Sequence, residues 1–201
     1  LKYNEHIAQH KKCNYDIMFV SEYRNEKKKI STLCQKIALN LLNDYAKQNK
    51  VKICVALNSI RKEKKDISFE KELKFIKKHA PLAHINKDKT GYMLAAESKM
   101  VVFVSSSLGA EVLSSKKKCL GLFIKAKYQK KSKSPYLNKN TNLFFTYSSE
   151  KKEIFKKINF LLNISNKKWL RILKSSKISL KYDYKNNIFY NKIYSLQKEF
   201  I

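Results

Sequence analysis

Arginine is nearly missing from this strongly basic chain. Only Arg24, Arg61 and Arg171 stand among 44 lysines and arginines, which face 16 acidic residues for a formal net charge of +28. Proteins that read bases or grip phosphates through bidentate contacts lean on the arginine fork, so nucleic-acid reading is disfavoured as the main role. Glycine (3) and proline (2) are scarce as well, while Lys, Asn, Ile and Tyr abound. That balance reads as the coding bias of an AT-rich genome, the larger cause of the lysine count. Functional attraction to anions is the smaller one.

Other absences narrow the class further. Cys13, Cys34, Cys54 and Cys119 show no C-x-x-C spacing, and His6, His10, His79 and His84 do not complete a ligand set, so neither a metal site nor a redox pair is expected. Cys54 and Cys119 fall inside apolar runs and read as small core residues of a reduced, cytoplasmic protein. No run approaches the roughly 18 apolar residues of a membrane span, and no signal peptide opens the chain, so any membrane contact is expected to be peripheral. Internal repeats, heptads and low-complexity blocks are also lacking.

What is present is an alternation. Apolar runs at residues 16–21, 51–57, 82–85, 100–104, 119–123 and 142–146 read as strands. Between them lie helical periodicities. The first spans 30–49, with Ser31 as cap and Leu33, Ile37, Leu41, Leu42 and Tyr45 inward; the second spans 68–79, capped by Ser68 and ended by Pro81. The third spans 90–99, capped by Thr90 with Glu97 on the far side; further helices start near Leu108, span 149–163, and carry Trp169. Continuous apolar runs without in/out alternation indicate strands covered on both faces. The expectation is an α/β fold, a Rossmann-like doubly wound parallel sheet of about six strands with C-terminal helices. If the strands lie in the order 3-2-1-4-5-6, residues 21–24 face residues 105–107 across the switch point. Residues 1–174 form the domain, and 175–201, rich in Lys, Tyr and Asn, a docking tail.

The segment 100–123, MVVFVSSSLGAEVLSSKKKCLGLF, carries the chemistry. A strand runs into Ser105, Ser106 and Ser107 and then a helix, so three hydroxyls and several free N–H groups gather where the helix dipole is positive and would hold a phosphate. Gly109 would let a ligand approach the backbone. Glu111 lies at i+4 from Ser107, whereas a capping box needs i+3, which leaves its carboxylate to face a ligand. Serine caps and a first-turn glutamate are also ordinary helix features.

The pattern of Ser106, Ser107, Gly109 and Glu111 between two apolar strands, followed by the basic turn 116–118, resembles the nucleotide-sugar-binding half of GT-B glycosyltransferases. It is especially similar to bacterial surface-carbohydrate and capsule biosynthesis proteins. The order of elements agrees over residues 16–173, with one departure: Lys117 and Lys118 stand where the family usually has Gly-Lys. The resemblance implies a donor nucleotide sugar, its diphosphate on Ser105, Ser106, Ser107 and Gly109 and its ribose on Glu111, with Arg24 or Arg61 as charge partner. It implies no metal or cofactor, because helix amides and basic side chains neutralise a departing diphosphate. It further implies a carbohydrate or lipid-linked acceptor, catalytic groups on a missing N-terminal domain, and a place at the inner face of the membrane. Two rivals stand beside it. One is a sugar-nucleotide epimerase of the same fold, using Glu22, Glu97 and Glu111; the other is a basic nucleic-acid- or membrane-binding protein.

Overall fold

The computed structural model describes residues 13–23, 29–58, 67–128 and 142–176. Six strands form one all-parallel sheet: β1 (Tyr15–Val20), β2 (Ile53–Ala56), β3 (His84–Ile85), β4 (Ser98–Phe103), β5 (Lys118–Leu122) and β6 (Phe145–Thr146). Their order is β3-β2-β1-β4-β5-β6, the expected doubly wound topology. Among the described residues six helices accompany them: α1 (Lys29–Asn49), α2 (Ile67–His79), α3 (Gly91–Ala96), α4 (Ser107–Ser114), α5 (Lys151–Asn163) and α6 (Asn166–Ser175). α1 packs with α2 and α5, and α3 packs with α4. The sheet is therefore sandwiched, and Ile17, Met18 and Phe19 in its middle are wholly buried.

Several helix details differ from expectation. α1 buries Cys34, Gln35, Ala38, Leu39, Leu42, Tyr45 and Ala46, while Leu33 stays 38% exposed and Ile37 and Leu41 sit on the flank. Leu42 and Tyr45 are thus inward as expected, whereas Leu33, Ile37 and Leu41 lie off the buried face, which Cys34, Ala38, Leu39 and Ala46 complete. Ser31 and Ser68 lie inside their helices rather than at the caps, whereas Thr90 does cap α3 by accepting from the Met93 N–H at 3.3 Å. α3 ends at Ala96, so Ser98 and Lys99 belong to β4. Residues 124–127, expected as loop, make one 3-10 turn (Ile124–Lys127).

Scarce glycine shapes how the helices end. α1 and α4 both finish on a lysine in the left-handed region, Lys50 (φ 53°) and Lys116 (φ 67°). At α4 the Lys116 N–H donates to Leu113 O (2.9 Å) and the Lys117 N–H to Val112 O (3.3 Å), a Schellman cap built without glycine. The basic turn that departs from the family pattern is this cap. Trp169 of α6 seals it by donating its Nε1–H to Lys116 O at 2.7 Å, its ring edge-on to Phe144. The three glycines have no positive φ and serve close packing instead. A Cβ on Gly91 would lie 2.5 Å from Leu108, one on Gly109 2.2 Å from the Phe103 ring, and one on Gly121 2.4 Å from the Phe145 ring.

Candidate functional site

In a parallel sheet every strand presents its carboxyl end to the same edge, and neighbouring strands whose crossovers run in opposite directions leave a crevice there. Here those strands are β1 and β4. Residues 21–23 leave β1 and residues 104–106 leave β4, as the sequence places them, and the two loops touch: Ser105 Oγ donates to Glu22 Oε2 at 2.8 Å. Gln35 of α1 holds Glu22 from below. Its Oε1 accepts from the Glu22 N–H (3.2 Å) and its Nε2 donates to Glu22 Oε2 (3.4 Å), which accounts for a glutamine buried on an otherwise apolar face.

The second loop leads into α4. Ser106 occupies the N-cap position without a side-chain capping bond, and Ser107 starts the helix one residue earlier than expected. The side chains of Ser106 and Ser107 make no hydrogen bond among the described residues. The amides of Ser107, Leu108 and Gly109 precede the first intrahelical bond at this terminus, Ala110 N–H to Ser106 O (3.3 Å). Hydroxyls and amides therefore converge at the positive end of a helix dipole. Gly109 is buried with its Cα against Phe103, so the contact that demands glycine lies on the core side of α4.

Glu111 sits one turn further on, half-buried, and accepts a hydrogen bond from the Tyr92 hydroxyl of α3. Tyr92 follows Gly91, whose missing side chain lets α3 meet Leu108 of α4. The carboxylate is thus oriented by a tyrosine that the sequence did not single out. One such bond leaves most of its acceptor sites for other donors.

A further network was hidden in the sequence. Glu72 of α2 is wholly buried, yet its Oε1 accepts from Ser21 Oγ (2.5 Å) and from the Asn58 N–H (3.0 Å). Asn58 Nδ2 in turn donates to Tyr23 O (3.0 Å). Glu72 thereby pins the loops after β1 and β2 and sets where Glu22 stands. Its only sequence signal is an acid interrupting the stripe Phe69, Leu73, Ile76 at helical spacing.

Arg24 and Arg61 lie outside the described residues. Within them, Lys125 follows β5 at the same edge, half-buried and without an ion pair among the described residues. Burial raises the Cys34 thiol pKa, while Lys125 pulls it down and Glu22 pushes it up, so both charges lie within electrostatic reach of Cys34.

Glu97 must be moved from the crevice. It follows α3 and precedes β4, at the amino edge of the sheet. There it is buried, pairs with Lys89 at 2.5 Å and accepts from Asn14 Nδ2 (3.1 Å). Its place as an outward residue and as an epimerase carboxylate fails because the strand starts sooner than expected. A depression of about 760 Å³ also opens at this amino edge, with Tyr15 and His84 stacked at its wall. Cys54 and Cys119 are core residues, as expected; burial pushes the Cys54 thiol up to about 12 and the Cys119 thiol up as well. Among the described residues no three His, Cys, Asp or Glu side chains gather as a metal site would require. No helix among them is long and apolar enough to cross a membrane.

Fold and site together define a Rossmann-like α/β domain with a polar crevice at its switch point. The family described as "putative O-antigen biosynthesis protein" matches residues 32–197, well over half of the chain, and the chain belongs to that family. Membership places it among proteins of surface-polysaccharide biosynthesis. No curated protein matches the chain.

Proposed function

We propose that this domain binds the donor of a glycosyltransferase acting in surface-polysaccharide biosynthesis, a nucleotide sugar whose diphosphate lies on the amino end of α4. The supporting observation is the meeting of the β1 and β4 loops through Ser105 and Glu22, beside a helix start where Ser106 and Ser107 leave their hydroxyls unused among the described residues. Family membership agrees with the carbohydrate context. Diphosphate oxygens accept from the Ser107, Leu108 and Gly109 amides, and the developing charge on the leaving group is met by the helix dipole. Lys125 stands at the same edge as a cation, alongside Arg24 and Arg61 as sequence candidates. Glu111, oriented by Tyr92, accepts from the ribose hydroxyls. The acceptor, a carbohydrate or lipid-linked glycan, and the catalytic base belong to a further domain in this scheme.

Isothermal titration of the full chain with uridine, guanosine and cytidine diphosphates tests it. At least one should bind, and Glu111→Ala should weaken it about 10- to 150-fold, the loss of charge-assisted bonds of about 1.5–3 kcal/mol. Tyr92→Phe should cost less, since it frees rather than removes the carboxylate. Flat heats with all three nucleotides, or unaltered affinity in Glu111→Ala, would remove the donor site from this crevice.

A further inference from the structure

Helix α6 turns its apolar side inward and is held there by the Trp169 anchor, with Trp169 2% exposed and Ile172 and Leu173 partly covered. The anchor decides what faces out. Lys167, Leu170, Arg171 and Lys174 recur at i, i+3, i+4 and i+7 and so share one face, and all four are exposed. Lys168 borders that face. None of these four cations forms an ion pair among the described residues, and the helix contains no acidic residue. One of only three arginines in the chain is spent here. Leu170 projects among the charges with 44% of its surface exposed. Two recesses of about 460 and 470 Å³ flank the helix start, both bordered by Ser165 and Lys168.

We propose that this face of α6 docks on an anionic phospholipid surface, with Lys167, Lys168, Arg171 and Lys174 over the headgroup phosphates and Leu170 inserted between them. A surface helix with cations around an exposed apolar residue suits the bilayer interface. The exposed leucine favours lipid over nucleic acid, for which cations alone suffice. The direction of the fold allows it. α6 lies at the amino edge, where Lys118 Nζ donates to Ile164 O and Trp169 bonds Lys116 O. A bilayer there leaves the serine turn, at the opposite edge, open to a soluble donor. Docking does not depend on the donor site.

The test is co-sedimentation of the full chain with vesicles of phosphatidylglycerol and phosphatidylcholine, or of phosphatidylcholine alone. Binding should require phosphatidylglycerol. Each cation near such a surface contributes roughly fivefold in affinity, so the triple variant K167Q/R171Q/K174Q should lose about 100-fold. K71Q/K74Q/K78Q removes an exposed lysine row from α2 with the same charge change, and it should lose less than about tenfold. Leu170→Ser should lose about fivefold while keeping its melting temperature, being exposed. Equal losses from the two triple variants, indifference to Leu170→Ser, or no binding to phosphatidylglycerol vesicles would each overturn the proposal. Indifference to Leu170→Ser with strong salt dependence would point to nucleic acid instead.

Discussion

Glu72 and Ser21, 51 residues apart, meet at 2.5 Å beneath the crevice, and the same carboxylate oxygen receives the Asn58 N–H. A buried acceptor that serves two donors is costly to lose, because the buried Ser21 hydroxyl is left without it and the loop that carries the Asn58 N–H loses its tie. Glu72→Ala should destabilise the fold by about 2–4 kcal/mol. Glu72→Gln keeps an acceptor oxygen and should lose less than half of that. Urea denaturation of the two variants decides, and equal stabilities would show that the carboxylate does not tie the loops.

Lys116 occupies a left-handed position that a side chain resists by roughly 1–2 kcal/mol. Lys116→Gly should stabilise the chain by about 0.5–1 kcal/mol after the extra unfolded-state entropy of glycine is offset. The carbonyl that receives Trp169 is backbone and survives the change. A melting temperature raised by about 1–4 °C is expected for a chain of this size. An unchanged or lower value would mean that the lysine side chain contributes something the geometry does not show.

Gly109→Ala should be destabilising by about 1–3 kcal/mol, since the new methyl would meet the Phe103 ring at 2.2 Å. The double variant G109A/F103L removes the aromatic edge and should recover part of the loss. If Gly109→Ala folds as well as the natural chain while only ligand binding suffers, the glycine serves the ligand and not the core.

Burial raises the Asp16 pKa, but the Lys99 ammonium at 2.7 Å and the Lys52 N–H at 2.8 Å outweigh it and hold the carboxyl below its ordinary value. A carboxyl whose pKa is lower folded than unfolded binds protons more readily in the unfolded chain. Its contribution is therefore complete above about pH 4, the unfolded value, and is lost as pH falls through the lower folded one. Asp16→Asn should lower stability near neutrality and flatten the acid limb of the stability profile. Parallel profiles for the two proteins would rule the pair out as a source of acid sensitivity.

The sheet was legible because each strand is a run of apolar residues too short for a helix and bounded by charge, as at residues 16–21 and 100–104. The order β3-β2-β1-β4-β5-β6 is the doubly wound one that the alternation of elements suggested, and it brings residues 21–23 and 105–107 to one edge, while residue 24 lies outside the described residues. Pairings across that space were not legible. Tyr92 reaches Glu111 only because two helices approach at a glycine, and Glu72 looks like any surface acid until the helix phase is known. Glu97 was misplaced by three residues of helix length, which put it inside a helix instead of at the amino edge where β4 begins. Gly109 invited a ligand explanation because a sequence does not say which side of a helix faces Phe103.

The central position of β1 has a consequence for synthesis. It is the first described strand to be made, yet its second neighbour, β4, arrives only after β2, β3 and three helices. Until then one side of β1 is an open edge of unpaired N–H and C=O groups beside apolar side chains, the kind of surface that recruits other chains. At ribosomal rates of about 5–20 residues per second, the 83 residues between Glu22 and Ser105 take roughly 4–17 s to emerge. For that interval the nascent protein is half a sheet, and a chaperone that covers the β1 edge would act before any crevice exists to be filled.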